Sequence, residues 1–108
     1  MLVLFDQGTP VPIANSLIGH SVETVRQRGW DTLANGELLR VAEQAGFDVL
    51  VTTDKNLTYQ QNLKGRKIGI VVLGRNRWTI VKAVLPQIVA TVDSSGTGTY
   101  TIVDVPDE

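Results

Sequence analysis

Cysteine is absent from the 108 residues, so neither a disulfide nor a thiolate metal site can contribute here. That absence fits a reducing compartment. Histidine occurs once, at His20, and a metal centre built on imidazoles needs partners; next to Gly19 it reads as a turn residue. No apolar run approaches the length needed to cross a bilayer. The opening MLVLFDQG lacks a basic stretch and meets an acid at position 6, so it reads as a first strand rather than a signal peptide. The expectation is a soluble, cytoplasmic protein. A formal net charge of −1 gives no global attraction for polyanions, and any nucleic-acid contact must come from a local patch. With 43% hydrophobic and 19% charged residues, residues 1–108 can form one domain with a core that needs no covalent support. There is no internal repeat, and the one low-complexity stretch is the SSGTGT loop from Ser94 to Thr99.

Short β-branched runs alternate with helical patterns along the chain. Leu2–Phe5 is a continuous apolar run, as expected of a strand buried on both faces, and it ends at Asp6. Two prolines between Thr9 and Pro12 suit a loop and the first turn of a helix over about Ile13–Ile18. Ser21–Val25 follows as a second strand, then a polar loop from Arg26 to Asn35. Asn35 is a candidate N-cap with Glu37 in the first turn; Leu38, Val41, Ala42 and Ala45 form one apolar stripe, and Gly46 stops the helix. A third strand, Val49–Val51, leads into Thr52-Thr53-Asp54. A short helix over Leu57–Leu63, a turn at Lys64–Arg66, a strand over Ile68–Leu73 and a helix over Trp78–Val92 interrupted at Pro86 come next. Tyr100–Val103 is a fifth strand. Strands separated by helices imply βαβ crossovers, hence an α/β fold: a three-layer α/β/α sandwich around a mainly parallel sheet of about five strands.

Ligand sites of such sheets form beyond the carboxyl ends of the strands. Asp6 follows the first strand, Asp54 follows the third, and Glu37 opens the helix leading into the third. Convergence of these three carboxylates on one rim would create an oxygen site suited to Mg²⁺ or Mn²⁺, which activates water and stabilises a phosphodiester transition state. The plainer reading of either aspartate alone is a loop residue capping the next helix. Asn35 and Asn56 would assist, Thr52 or Thr53 would orient the rim, and the helix start could alternatively turn Asn35 inward in place of Glu37. The same edge carries Arg26, Arg28 and Trp30 after the second strand, Lys55 beside Asp54, and Arg75, Arg77 and Trp78 after the fourth. Basic residues mixed with aromatics can hold a phosphate backbone, though packing serves the tryptophans and solvent the arginines about equally well. Lys64, Arg66 and Lys67 belong to the opposite edge and read as a solvated turn.

Three stretches, LFDQGTPVPI, NGELLRVAEQAGFDVLVTTDKNL and IGIVVLGRN, carry a resemblance over most of positions 2–76. Here the chain resembles the short bacterial PIN-like domain family, predicted nuclease components of toxin–antitoxin modules. The resemblance implies a PIN-like sandwich, metal-dependent ribonuclease chemistry on single-stranded RNA, and a cognate antitoxin protein as partner. Asp6 matches the first-strand acid and Asp54 the acid closing the T-x-D strand end. Asn35 and Asn56 stand where the family more often has acids, so the charge available to a metal is thinner here. Two other classes remain open. One is a catalytically degenerate PIN-like module that only binds its partner. The other is a receiver-like phosphoacceptor domain with Asp54 as acceptor, opposed by the lack of a second acid after the first strand and of Thr/Ser and Lys after the last two strands. RNA target, antitoxin identity and homo-oligomer formation are not legible.

Overall fold

In the computed structural model, residues 1–55 and 66–106 are described. The expected helix at Leu57–Leu63, together with Asn56 and Lys64, falls outside them. The five expected strand segments form five strands: β1 (Leu2–Phe5), β2 (Ser21–Thr24), β3 (Val49–Thr52), β4 (Gly69–Leu73) and β5 (Tyr100–Val103). They pair in the order β2-β1-β3-β4-β5, every pair parallel. All five carboxyl ends therefore share one edge. Central β3 and β4 are buried along their whole length. This is why they read as continuous apolar runs rather than alternating ones.

Side chains alternate between the two sheet faces and build two cores. Val3, Phe5, Val49, Val51, Val71 and Leu73 face one side. There they meet Ile13 of a 3₁₀ segment (Val11–Ser16), Val81 of α2 (Trp78–Val81), and Ile88 and Val92 of α3 (Leu85–Ser94). Leu4, Leu50, Ile70 and Val72 face the other side, against Leu38, Leu39 and Ala42 of α1 (Asn35–Gln44). Helices on both faces of the sheet make the three-layer α/β/α sandwich that the strand–helix alternation implies.

Three local differences from the sequence reading have physical causes. The first helical segment is a 3₁₀ helix starting directly after Pro10: Pro12 sits in its first turn, where no amide donor is needed, and the Ile13 and Leu17 amides close three-residue bonds onto the carbonyls of Pro10 and Ala14. The long helix is interrupted before Pro86, not at it. Pro86 cannot donate to the carbonyl of Lys82 and its ring crowds that group, so Lys82–Val84 tighten into a 3₁₀ turn. The chain then restarts as α3 with Pro86 in the first turn, where no donor is needed. Finally, Arg66 is not simply solvated: it is half-buried and pairs with Glu43 of α1 at 3.3 Å. The stop of α1 is as expected: Gly46 takes φ +88°, and the amides of Gly46 and Phe47 return to the carbonyls of Glu43 and Ala42.

Candidate functional site

The order 2-1-3-4-5 has its switch point between β1 and β3, since the chain leaves β1 toward opposite sides of the sheet. Asp6 and Thr52-Thr53-Asp54 flank that point. The Asp6 amide donates to the carbonyl of Val51 (2.9 Å), extending the β1–β3 ladder by one residue and holding the acid at the rim. A turn follows at once: the Thr9 amide bonds the Asp6 carbonyl, with Gly8 at φ +86°. A side chain at Gly8 would be strained by that φ and would also put its Cβ 3.1 Å from Thr53 Oγ1. Buried Thr9 pins the turn to β3 through a hydrogen bond from its hydroxyl to the Val51 carbonyl, 3.0 Å.

Thr52 links the two acids. Its side chain is completely buried, its Oγ1 donates to Asp6 Oδ2 (2.8 Å), and the same oxygen accepts from the Asp54 amide (3.1 Å). Asp6 Oδ1 accepts from the Gln7 amide at 2.8 Å, so both carboxylate oxygens are aimed by neutral donors. Asp54 Oδ2 accepts from Asn35 Nδ2 at 3.0 Å. Asn35 is thus the first residue of α1 rather than its cap; Ala34 takes the cap position, and the Asn35 amide is committed to the rim.

Glu37 is not brought to the aspartates. Its carboxylate is exposed and gripped by the Arg40 guanidinium one turn along α1, with Arg40 Nε 3.0 Å from Oε2. That hydrogen bond holds the Glu37 carboxyl below the ordinary glutamate range. Among the described residues, no three His, Asp or Glu side chains converge closely enough to hold a metal ion. The three-carboxylate site expected from Asp6, Glu37 and Asp54 therefore reduces to two carboxylates with the Asn35 amide alongside. Asn56 lies outside the described residues.

The rim cations differ in their surroundings. Arg28 is committed to structure: it pairs with both oxygens of Glu23 (3.0 and 2.9 Å), which raises its pKa, and it lies 5.4 and 5.0 Å from the ring centres of Trp30 and Phe47. Trp30 meets Phe47 edge-on at 5.9 Å and packs on the α1-side core, while Trp78 packs on the opposite core. Neither tryptophan is a free stacking platform. Arg26 and Arg75 line clefts at the rim. The first, about 350 Å³, opens beside Asp6, Gln7 and Gly8 and reaches Thr24 and Arg26. The second, about 230 Å³, is lined by Thr53, Gly74, Arg75 and Asn76. Lys55 and Arg77 are exposed at the same edge.

The sequence reading missed Gln7, Gly8, Thr9 and Asn76. A glycine at the third place of a four-residue turn directly after a strand acid is a pattern that could have pointed to the first three. Searches of family models, curated proteins and solved structures return no match.

Metal fit can be judged from the donors present. Mg²⁺ and Mn²⁺ accept one or two carboxylates when water and substrate phosphate fill the remaining positions. Asp6, with only neutral hydrogen-bond partners among the described residues, suits that role. Asp54 suits it less, because the Asn35 amide shares its Oδ2. The residues fit a hydrated ion on two carboxylates. They do not fit a dry cage.

Proposed function

We propose that the chain is a metal-dependent ribonuclease of PIN-like type, with Asp6 and Asp54 as the ligands of Mg²⁺ or Mn²⁺ and with Glu37 outside the site. One observation carries the reading: two acids leave neighbouring parallel strands at the switch point and are tied together through the buried Thr52 hydroxyl. A divalent ion bound there supplies an activated water and charge neutralisation at a phosphodiester. The chain's own residues do the positioning. Thr52 and the Gln7 amide fix the two Asp6 oxygens, and Asn35 fixes Asp54. The decisive measurement is cleavage of single-stranded RNA with Mn²⁺, with EDTA, and by the Asp6→Asn variant. Cleavage should need the metal and fall at least a hundredfold in the variant, a scale of about 2.7 kcal/mol in the barrier. Activity indifferent to both EDTA and the substitution refutes it. A toxin role with an antitoxin partner rests on the family resemblance alone; growth arrest on induced expression, relieved by Asp6→Asn, is its test.

A second reading is supported by the same rim. An amide on Asp54 and an arginine on Glu37 leave less charge for a cation, as in a module that binds a partner and catalyses nothing. Calorimetric titration separates the two: no heat of binding at millimolar Mn²⁺ selects the binding module. The receiver-like reading has a compatible strand order but lacks its chemistry. Gly74 and Asp104 follow β4 and β5, where a hydroxyl and a lysine would be needed, and Lys82 sits exposed in the 3₁₀ turn between α2 and α3.

A further inference from the structure

The two arginine clefts are placed symmetrically about the acids. β2, which delivers Arg26, lies one strand outside β1; β4, which delivers Arg75, lies one strand outside β3. At the usual strand spacing, β2 and β4 are about 14 Å apart, with Asp6 and Asp54 between them. Each cleft also touches the acid-bearing segments, the first through Asp6 and the second through Thr53.

Both arginines stand on built turns rather than loose loops. Thr24 and Gln27 bond reciprocally across the turn after β2, the Thr24 amide to Gln27 Oε1 (2.8 Å) and the Gln27 amide to Thr24 Oγ1 (3.1 Å). Val25 is buried and its carbonyl accepts from the Trp30 amide at 2.9 Å, which leaves its neighbour Arg26 outward. Arg75 follows Gly74, whose amide bonds the Val103 carbonyl at 3.0 Å and continues the β4–β5 ladder to the rim.

We infer that Arg26 and Arg75 are the two phosphate-holding residues of a track running across the strand ends, so that a single-stranded RNA lies transverse to the sheet with the phosphate between them over Asp6 and Asp54. The inference rests on the ribonuclease reading above and adds the path of the substrate. Recognition along this track is led by phosphate, since both tryptophans at the rim are partly buried and packed against the cores. It therefore carries little base preference and a strong salt dependence. Arg28, two residues beyond Arg26, lines neither cleft and takes no part; it is paired with Glu23.

Fluorescence anisotropy of a labelled single-stranded RNA of about ten nucleotides, a length one binding groove covers, tests the track in EDTA, where binding is read without cleavage. Arg26→Ala and Arg75→Ala should each weaken binding several-fold. Each should also flatten the plot of log affinity against log salt by about 0.7, the loss of one phosphate contact on a single strand. Arg26→Lys should keep the slope, and Arg28→Ala should leave it unchanged. Wild-type slopes in both alanine variants overturn the track, as does absence of wild-type binding. Failure of the two readings is distinguishable. Mn²⁺-dependent cleavage with unchanged slopes removes the track alone, and binding with the expected slopes but no cleavage under any metal removes the ribonuclease alone.

Discussion

Replacing Thr52 by valine removes one hydroxyl and little else. The two side chains have nearly the same shape, so the fully buried site keeps its packing and no cavity opens. Two hydrogen bonds disappear: the one donated to Asp6 Oδ2 at 2.8 Å and the one accepted from the Asp54 amide at 3.1 Å. A bond to a charged acceptor contributes about 1.5–3 kcal/mol, and a stranded amide costs about 1–3 kcal/mol when water cannot reach it. Asp6 and Asp54 are only half-buried, so water recovers part of both losses. A net destabilisation of about 2 kcal/mol follows, just below the lower end of that sum because of the water. For a chain of this size it lowers Tm by roughly 10 °C. Urea unfolding of the wild type, Thr52→Val, Asp6→Ala and the double variant gives the coupling directly. The Thr52–Asp6 coupling energy should reach at least about 1 kcal/mol, as for groups sharing a hydrogen bond. Additive losses, or a Thr52→Val protein within about 0.5 kcal/mol of wild type as at an inconsequential surface site, would refute the linkage of the acids through this hydroxyl.

Two further predictions bear on the framework and on the displaced glutamate. Gly69 opens β4, and a Cβ there would fall 2.7 Å from the Gly96 carbonyl oxygen and 2.8 Å from Thr99 Oγ1. Gly69→Ala must therefore shift the loop before β5, with a loss of about 1–3 kcal/mol in urea unfolding; an unchanged midpoint would show that the loop yields freely. The Glu37 carboxyl, held low by the Arg40 hydrogen bond, should titrate by NMR below the ordinary glutamate range and return to it in Arg40→Ala. Because its folded pKa is the lower one, any stability it adds is present at neutral pH and lost as pH falls through that folded value. The pair is exposed, so Glu37→Gln should leave both thermal stability and any Mn²⁺ affinity unchanged. Loss of Mn²⁺ binding in Glu37→Gln would restore Glu37 to the site.

The sheet was legible because a parallel strand buried on both faces has no polar positions to hide its ends. Val49-Leu50-Val51 and Ile70–Leu73 could only be core, and Asp6 and Asp54 were marked by being the first acids after such runs. What the runs could not disclose was the employment of the cations. Arg26 and Arg28 look alike in sequence, and only the fold brings Glu23, Trp30 and Phe47 around Arg28 while leaving Arg26 on a cleft wall. Arg66 is the same case on the opposite edge, where the position of Glu43 on α1 makes a turn residue an ion-pair partner.

The exchange of Glu37 for Asn35 turns on the phase of one helix. Residues two apart on an α-helix point about 200° from each other, so only one of the pair can face the rim. A stripe of Leu38, Val41, Ala42 and Ala45 leaves that choice open, because it straddles the helix on the side of Val41. The observed buried set is Leu38, Leu39 and Ala42, with Val41 half-buried and Ala45 exposed. Counted from Asn35, these are i+3, i+4 and i+7: the asparagine is the first member of the buried stripe. Glu37 has Arg40 and Val41 at i+3 and i+4, and its companion is the exposed guanidinium. Leu39 was therefore the informative residue. Two adjacent leucines where one was needed mark the true centre of the face, and turning the helix onto them carries Asn35 to Asp54. The cost is one negative charge at the rim, so under the proposed ribonuclease reading an ion held there would be a hydrated one that relies on the substrate's phosphate to complete its coordination.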